Sequence, residues 1–363
     1  MAALLILVGA AAGIWLTRPG NALPDFGQQV QAPRAEEPPA KPPEAKPPAQ
    51  QDPPKAEEPP KPPAPPEEKR PADSDATAFI HRFMQARMSG DAAGLDTLVD
   101  PAAPGRAGIR LSVGGARITG YSASLLGSGD PESFIFRLRV AFATAQPGAE
   151  VAVENVRVSW KGGFKVAGFE DIPRDSLALV AAGGGKLAVH RGQDTAIVAD
   201  LGALPATAKP YGAGPDSEFG VGKDGWSVAS PSLSGSKVLW ITRGLHPLLG
   251  VSDTNWSGAA VATHLDLMFE ATGVDAAWSP AGDRYVAVTV AQPSGATTLF
   301  VWDTNAGERF GPDLVTLTGS PDFTVKNLRW QANGNVVMFD LEKGGATTGP
   351  WQYSVSTKVV TNP

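Results

Sequence analysis

The chain has 363 residues, 42% of them hydrophobic, and a formal net charge of −6. That length allows two folded domains with an appendage, and the acidic balance, with no clustering of Lys and Arg, weighs against nucleic acid as a partner. Cysteine is absent, which excludes disulfides, thiolate nucleophiles, Cys-ligated metals and a lipidated N-terminal Cys.

Ala2 to Leu16 is an uninterrupted apolar run closed by Thr17-Arg18-Pro19-Gly20. As a helix it reaches about 22 Å at ~1.5 Å per residue, against ~30 Å of bilayer hydrocarbon. Residues 1–20 therefore read as a short membrane anchor, or as a signal-peptide core with Gly20-Asn21-Ala22 as its small-residue cleavage site. The first reading puts the protein at the cell membrane, with a single-pass N-terminal anchor and an extracytoplasmic head. The second makes it secreted.

Residues 21–73 form a spacer. From Pro33 to Pro71 there are sixteen prolines in thirty-nine residues, with eight acids, seven bases and no aromatic, Leu, Ile or Val. Such a tract buries nothing and stays disordered, and its paired prolines favour extended polyproline structure. At about 3.1 Å per residue it spans on the order of 100 Å. It reads as a stiff stalk rather than as a docking motif for a proline-reading domain.

A first folded unit occupies residues 74–173. Ser74 or Asp75 is expected to cap a helix whose apolar residues Phe79, Ile80, Phe83, Met84 and Met88 recur at three- and four-residue steps. Gly90 should end it in a left-handed C-cap, and Asp91 should start a short second helix. Strands follow. In Ser133 to Phe142 the apolar residues Phe134, Phe136, Leu138, Val140 and Phe142 alternate with Arg137 and Arg139 on the other face. Val151 and Val153 are followed by Val156, Val158 and Trp160, a slip of period that predicts a β-bulge near Glu154-Asn155.

Two helices followed by long antiparallel strands, ending in the run from Val156 to Ile172, resemble the nuclear-transport-factor-like (SnoaL-like) cone over about 100 residues. The resemblance implies either an isomerase- or hydrolase-like pocket or a non-catalytic module. Pocket candidates on the first view are Tyr121 and Asp130. His81, between Ile80 and Arg82, reads as a partly exposed helix position rather than a base. With Phe, Leu and Val on the dry face of its main strand, the unit reads as non-catalytic.

Residues 175–363 carry an internal repeat. Lys186, Lys237, Arg284 and Asn335 follow successive Gly turns at steps of 51, 47 and 51. Each precedes an apolar strand, and the next strand ends at Asp200, Asp253, Asp303 or, less clearly, Ser356. Repeats of this length with short strands and Gly turns predict blade-like sheets. Trp278-Ser279-Pro280-Ala281-Gly282 resembles the Trp-Ser-Pro-Asp-Gly turn of TolB-like, WD-related propeller blades, with Ala281 in place of Asp and Pro231 in place of Trp in the second copy. The resemblance implies a scaffold that binds macromolecules or a small ligand, and it carries over no catalytic residues. Four repeats either close into a ring or form an arc completed by another chain or by the first unit.

The recurring Asp residues read as turn starters rather than a metal ring, and Trp278 and Trp330 as packing between blades. The insertion Thr242 to Trp256 offers Leu245, His246, Leu248, Leu249 and Trp256 as a contact patch. Gly183-Gly184-Gly185-Lys186 lacks the Ser or Thr and the spacing of a phosphate loop. The four His residues show no zinc spacing. No metal or cofactor is implied. The expected fold is mainly β: an N-terminal apolar helix, a disordered stalk, a small α+β cone-like domain and a four-repeat propeller-like domain. The expected function is non-catalytic binding or scaffolding in a bacterial cell envelope, with an envelope protein, peptide or glycan as partner. The alternative is an envelope enzyme with its pocket in residues 74–173.

Overall fold

Polar–apolar patterning in the first unit produces two helices laid on an antiparallel sheet. The computed structural model describes residues 69–362, apart from 114–115, 128–129, 145–146, 204–224, 244–246, 258–261 and 268–270; of 262–267 it describes the backbone alone. The apolar run Ala2–Leu16 and nearly all of the proline tract lie outside the described residues. Among those described, no helix is long and apolar enough to cross a membrane.

Helix α1 (Asp73–Ser89) buries Phe79, Ile80, Phe83 and Met84 along one stripe. It starts before the expected cap: Ala72 is the N-cap, and its backbone N–H donates to Asp75 Oδ2 at 3.3 Å from within the first turn. Gly90 ends the helix at φ 71°, a left-handed conformation that favours glycine. Asp91 then caps α2 (Ala92–Leu98), accepting from the Gly94 amide at 2.8 Å.

The sheet beneath contains β1 (Arg117–Gly127), β2 (Ser133–Ala143), β3 (Ala149–Ser159) and β4 (Lys165–Asp171). It does not stop at the end of the first unit. β5 (Leu177–Ala182) pairs with the first residues of β3, and β6 (Lys186–Arg191) and β7 (Asp194–Asp200) extend the same seven-stranded sheet. The boundary expected near residue 174 therefore falls inside a continuous sheet, and the first repeat is an extension of the first unit.

The other three repeats each form a four-stranded antiparallel sheet. They are β8 (Trp226–Pro231), β9 (Lys237–Thr242), β10 (Leu248–Asp253) and β11 (Ala262–Leu267); β12 (Thr272–Trp278), β13 (Tyr285–Ala291), β14 (Thr297–Asp303) and β15 (Glu308–Phe310); and, after the short helix α3 (Leu314–Thr318), β16 (Thr324–Trp330), β17 (Val336–Lys343), β18 (Ala346–Ser354) and β19 (Val360–Thr361). The protein is thus mainly β, with four antiparallel sheets in a propeller-like array and few helices.

The residues that define the repeat explain its construction. Lys186 faces Asp200 at 3.9 Å, Lys237 faces Asp253 at 3.4 Å, and Arg284 holds Asp303 at 2.7 Å, each pair joining the second and third strands of its repeat. Asp200 Oδ1 also accepts from the Gly202 amide, and Asp303 Oδ1 from the Asn305 and Ala306 amides. Asp200 and Asp303 thus start turns, as expected, while among the described residues Asp253 has only its ion pair with Lys237. Among the described residues no group of His, Asp or Glu could hold a metal ion.

Three apolar cores separate successive sheets. One lies between β2–β3, β5–β7 and β8–β10, and includes Ala141, Val151, Leu179, Trp226 and Trp240. The next joins Val228 and Ile241 to Trp278 and Val288. The third joins Ala287 and Val301 to Trp330 and Phe339. Indoles seal two of these seams: Trp278 Nε1 donates to the Ser230 carbonyl at 2.8 Å and Trp330 Nε1 to the Ala277 carbonyl at 2.7 Å. Ser230 and Ala277 occupy the same register position in consecutive sheets, so the contact is part of the repeat.

The array closes through the first unit rather than as a four-bladed ring. Arg117, on β1, donates to the Leu328 carbonyl on β16 and to the Asp275 carboxylate on β12. Burial pushes the Asp275 carboxyl up, while the charge of Arg117 opposes it. A guanidinium from the first unit thus completes the arc.

Candidate functional site

The interior of the first unit is filled. Phe134, Phe136, Leu138, Val140 and Phe142 all project into its core with Phe79 and Phe83, each worth about 1.5–3 kcal/mol of burial. The remaining volume holds an ion pair. Arg87 Nη1 and Nη2 donate to Glu154 at 2.6 and 2.9 Å, with both side chains 0% exposed. Arg87 Nε donates to the Arg110 carbonyl at 2.9 Å, and its guanidinium lies near the rings of Phe83 and Phe169.

This pair overturns the expected bulge at Glu154-Asn155. β3 pairs with β2 without interruption from Ala149 to Ser159, so Ala152, Glu154, Val156 and Val158 share the inward face. Val151 faces outward into the core shared with Leu179 and Trp240. The apparent slip arises because a carboxylate occupies one inward position. The register shift of β3 lies instead toward β4, between Arg157 and Val158.

The main cavity is a cleft of about 1230 Å³ between the first unit and the last sheet, walled by α1, α2 and β1 on one side and β16–β18 on the other. This is the one sheet-to-sheet seam with no apolar core among the described residues. On the helix side, His81 Nδ1 and the Tyr121 hydroxyl are 2.7 Å apart. Tyr121 is 3% exposed, and burial pushes its hydroxyl well above the usual tyrosine range. Burial also lowers the His81 imidazole. Both shifts favour the uncharged forms, and the two groups share one hydrogen bond.

On the sheet side, β16 is irregular between Lys326 and Arg329, and Asn327 adopts φ 53°. Bulges of this kind re-aim side chains next to sites. Here Arg329 lines the cleft, its Nη1 donating to the Asn327 carbonyl at 2.8 Å. The Asn327 amide in turn donates to Asp340 Oδ2 at 2.6 Å. Burial lowers the Arg329 guanidinium, the Asp340 charge opposes this, and the Arg117 charge adds to it.

Of the residues singled out from the sequence, Tyr121 is in the cleft and Asp130 is not. Asp130 is an exposed turn residue whose carboxyl is held down by the Glu132 amide, which donates to it at 2.8 Å. Leu248 and Leu249 are not loop residues: both are fully buried in β10, Leu248 in the core with Val151 and Trp240, and Leu249 in the core with Val228 and Trp278. Trp256 is half-buried on the core that holds Val151 and Trp240, with the Arg191 guanidinium 4.3 Å above its ring. Leu245 and His246 lie outside the described residues.

His81 is partly exposed, as expected, yet it joins the site through Tyr121. Arg117 and Arg329 were not anticipated. Arg87 carried a usable signal, because it stands four residues after Phe83 on an otherwise apolar stripe, where only a partnered cation is tolerated.

No family model and no curated protein sequence matches this chain. Among solved structures, many are similar to it, two of which follow. One is the β-propeller domain of Cps50 (Swd1) from Myceliophteria thermophila, at 8% identity and TM-score 0.32, covering 68% of this chain and 88% of that one. The other is a putative 6-phosphogluconolactonase from Bacteroides fragilis, at 10% identity and TM-score 0.26, covering 67% and 79%. Overlaps this loose carry no argument about function.

Proposed function

We propose that the chain is an extracytoplasmic binding protein of a bacterial cell envelope, and that it holds its ligand in the cleft between the first unit and the last sheet. Three of the four seams in the array are filled by apolar cores and one is an open cleft, and this is the observation that carries the reading. A seam that served only stability would be filled like the others. The apolar run Ala2–Leu16 and the proline tract support export and presentation on a stalk, with the N-terminus as membrane anchor or cleaved signal. The TolB-like pattern of Trp278 to Gly282 agrees with a scaffold role.

The test is capture from an envelope extract of the native host by the full chain, with a Gln85→Trp variant as control. Gln85 is an exposed residue of α1 that lines the cleft, so an indole there fills the space without touching the core. A partner retained by the wild type and reduced at least tenfold by the variant supports the reading. Equal retention by both removes the cleft from it.

A second reading has one observation in its favour. His81 and Tyr121 form a polar pair at a cavity wall, as an enzyme in residues 74–173 would require. The electrostatics oppose it, because efficient proton transfer needs a group poised near the working pH. Here burial moves both groups away from neutrality. Turnover of any substrate that is lost in Tyr121→Phe would restore this alternative.

A further inference from the structure

Resting on the cleft as the binding site, we propose that it recognises a carboxylate on an extended peptide, with Arg329 as the ion-pairing group and the His81–Tyr121 pair as hydrogen-bonding neighbours. Two other arginines drawn into the fold have carboxylate partners: Arg87 has Glu154, and Arg117, at the edge of the cleft, has Asp275. Arg329 forms no ion pair among the described residues, although it is half-buried in the cleft wall and the bulge at Asn327 sets it there. Its one described hydrogen bond, to the Asn327 carbonyl, uses one of five guanidinium N–H donors. The neighbouring carboxylate of Asp340 is engaged by the Asn327 amide. A carboxylate entering the cleft would meet a positive charge with a planar fork of donors, the arrangement that favours bidentate, charge-assisted bonds.

The uncharged polar lining suits a peptide. Gln85, Gln331, Asn333 and Gln352 line the cleft, and each side-chain amide offers a donor and an acceptor, the complement of a peptide backbone. The large aromatic rings at its walls, Tyr121 and Trp330, are 3% and 1% exposed. They present no open face on which a sugar ring or nucleobase could stack.

The experiment uses the full chain and three pools of mixed-sequence tetrapeptides, read by saturation-transfer NMR and titration calorimetry. The first pool is neutral and C-terminally amidated. The second has a free C-terminus and no acidic side chain; the third is amidated and carries one Asp or Glu. The second or the third pool is expected to bind at least tenfold more tightly than the first, and which of them does so identifies the source of the carboxylate. Arg329→Met should bring that pool down to the level of the neutral one, and Arg329→Lys should keep part of the difference. Tyr121→Phe should weaken binding while leaving the preference for the carboxylate. Equal binding of all three pools that Gln85→Trp blocks would overturn the carboxylate inference and leave the cleft as a binding site. No binding by any pool, or a preference that persists in a folded Arg329→Met variant, would also overturn it.

Discussion

Arg87 and Glu154 meet through two hydrogen bonds of 2.6 and 2.9 Å at a point where neither side chain touches water. A cation from the helix and an anion from the middle of the sheet fix how α1 lies across β3. Removing one partner strands the other charge in the core. We expect Arg87→Met to destabilise the fold by about 3–5 kcal/mol, measured by urea unfolding. The double variant Arg87→Met/Glu154→Leu should recover most of that loss, and a double variant no better than the single would refute a mainly electrostatic cost.

The indole contact between consecutive sheets predicts a second effect. Trp330→Phe keeps an aromatic ring but removes the donor to the Ala277 carbonyl and part of the buried indole's packing. A loss of about 1–3 kcal/mol is expected. Trp278→Phe should cost a similar amount, because its bond to Ser230 repeats the same geometry. A large difference between the two in thermal unfolding would mean that the repeats are not equivalent in energy.

Asp303 supplies a pH-dependent case. Burial works to raise its carboxyl, but hydrogen bonds from Arg284 and from the Ala306 and Asn305 amides, with the Arg284 charge, outweigh burial and hold it below the usual range. A folded pKa below the unfolded one, about 3.9 for Asp, gives stability that is present above that value and lost as pH falls through the folded pKa. Asp303→Asn should therefore be less stable than wild type at pH 7, and the gap should close in acid. A gap constant from pH 7 to pH 2 would contradict this.

His81 has the opposite chemistry and the same direction of change. Its folded pKa lies below the unfolded value of about 6.5, so the unfolded chain binds the proton more readily. Stability should fall as pH drops from about 6.5 through the folded value. In a His81→Gln variant this part of the pH dependence should vanish. NMR titration of the imidazole gives a direct check, with a midpoint above 6.5 counting against the buried pair with Tyr121.

Much of the framework was legible because it is local. Gly90, Asp91 and the repeated Lys–Asp and Arg–Asp pairs act within a few residues or across one hairpin, and their spacing reveals them. The equivalence of Trp278 and Trp330 was legible because the repeat places them in register. What escaped was non-local. Nothing near Arg117 indicates that it meets Asp275 and Leu328, and the pairing of β5 with β3 depends on how the chain returns. Leu248 and Leu249 were misplaced because the apolar run Leu248-Leu249-Gly250-Val251 gives no alternation to separate a fully buried strand from a loop. The bulge was wrongly placed because a partnered Glu154 in the core imitates a break in the hydrophobic period.

Strand β3 has one further consequence. Along a single edge it accepts β4 on residues 154–159 and β5 on residues 149–151, so the chain forks there instead of ending one module and beginning the next. A gene fusion or truncation cut after Pro173 would strip β3 of a neighbour on one side of the junction and leave β5 a bare edge on the other. Neither product would be a portable part. Lineages that carry this architecture are expected to inherit both halves together, and recombination should spare the stretch from β3 to β7.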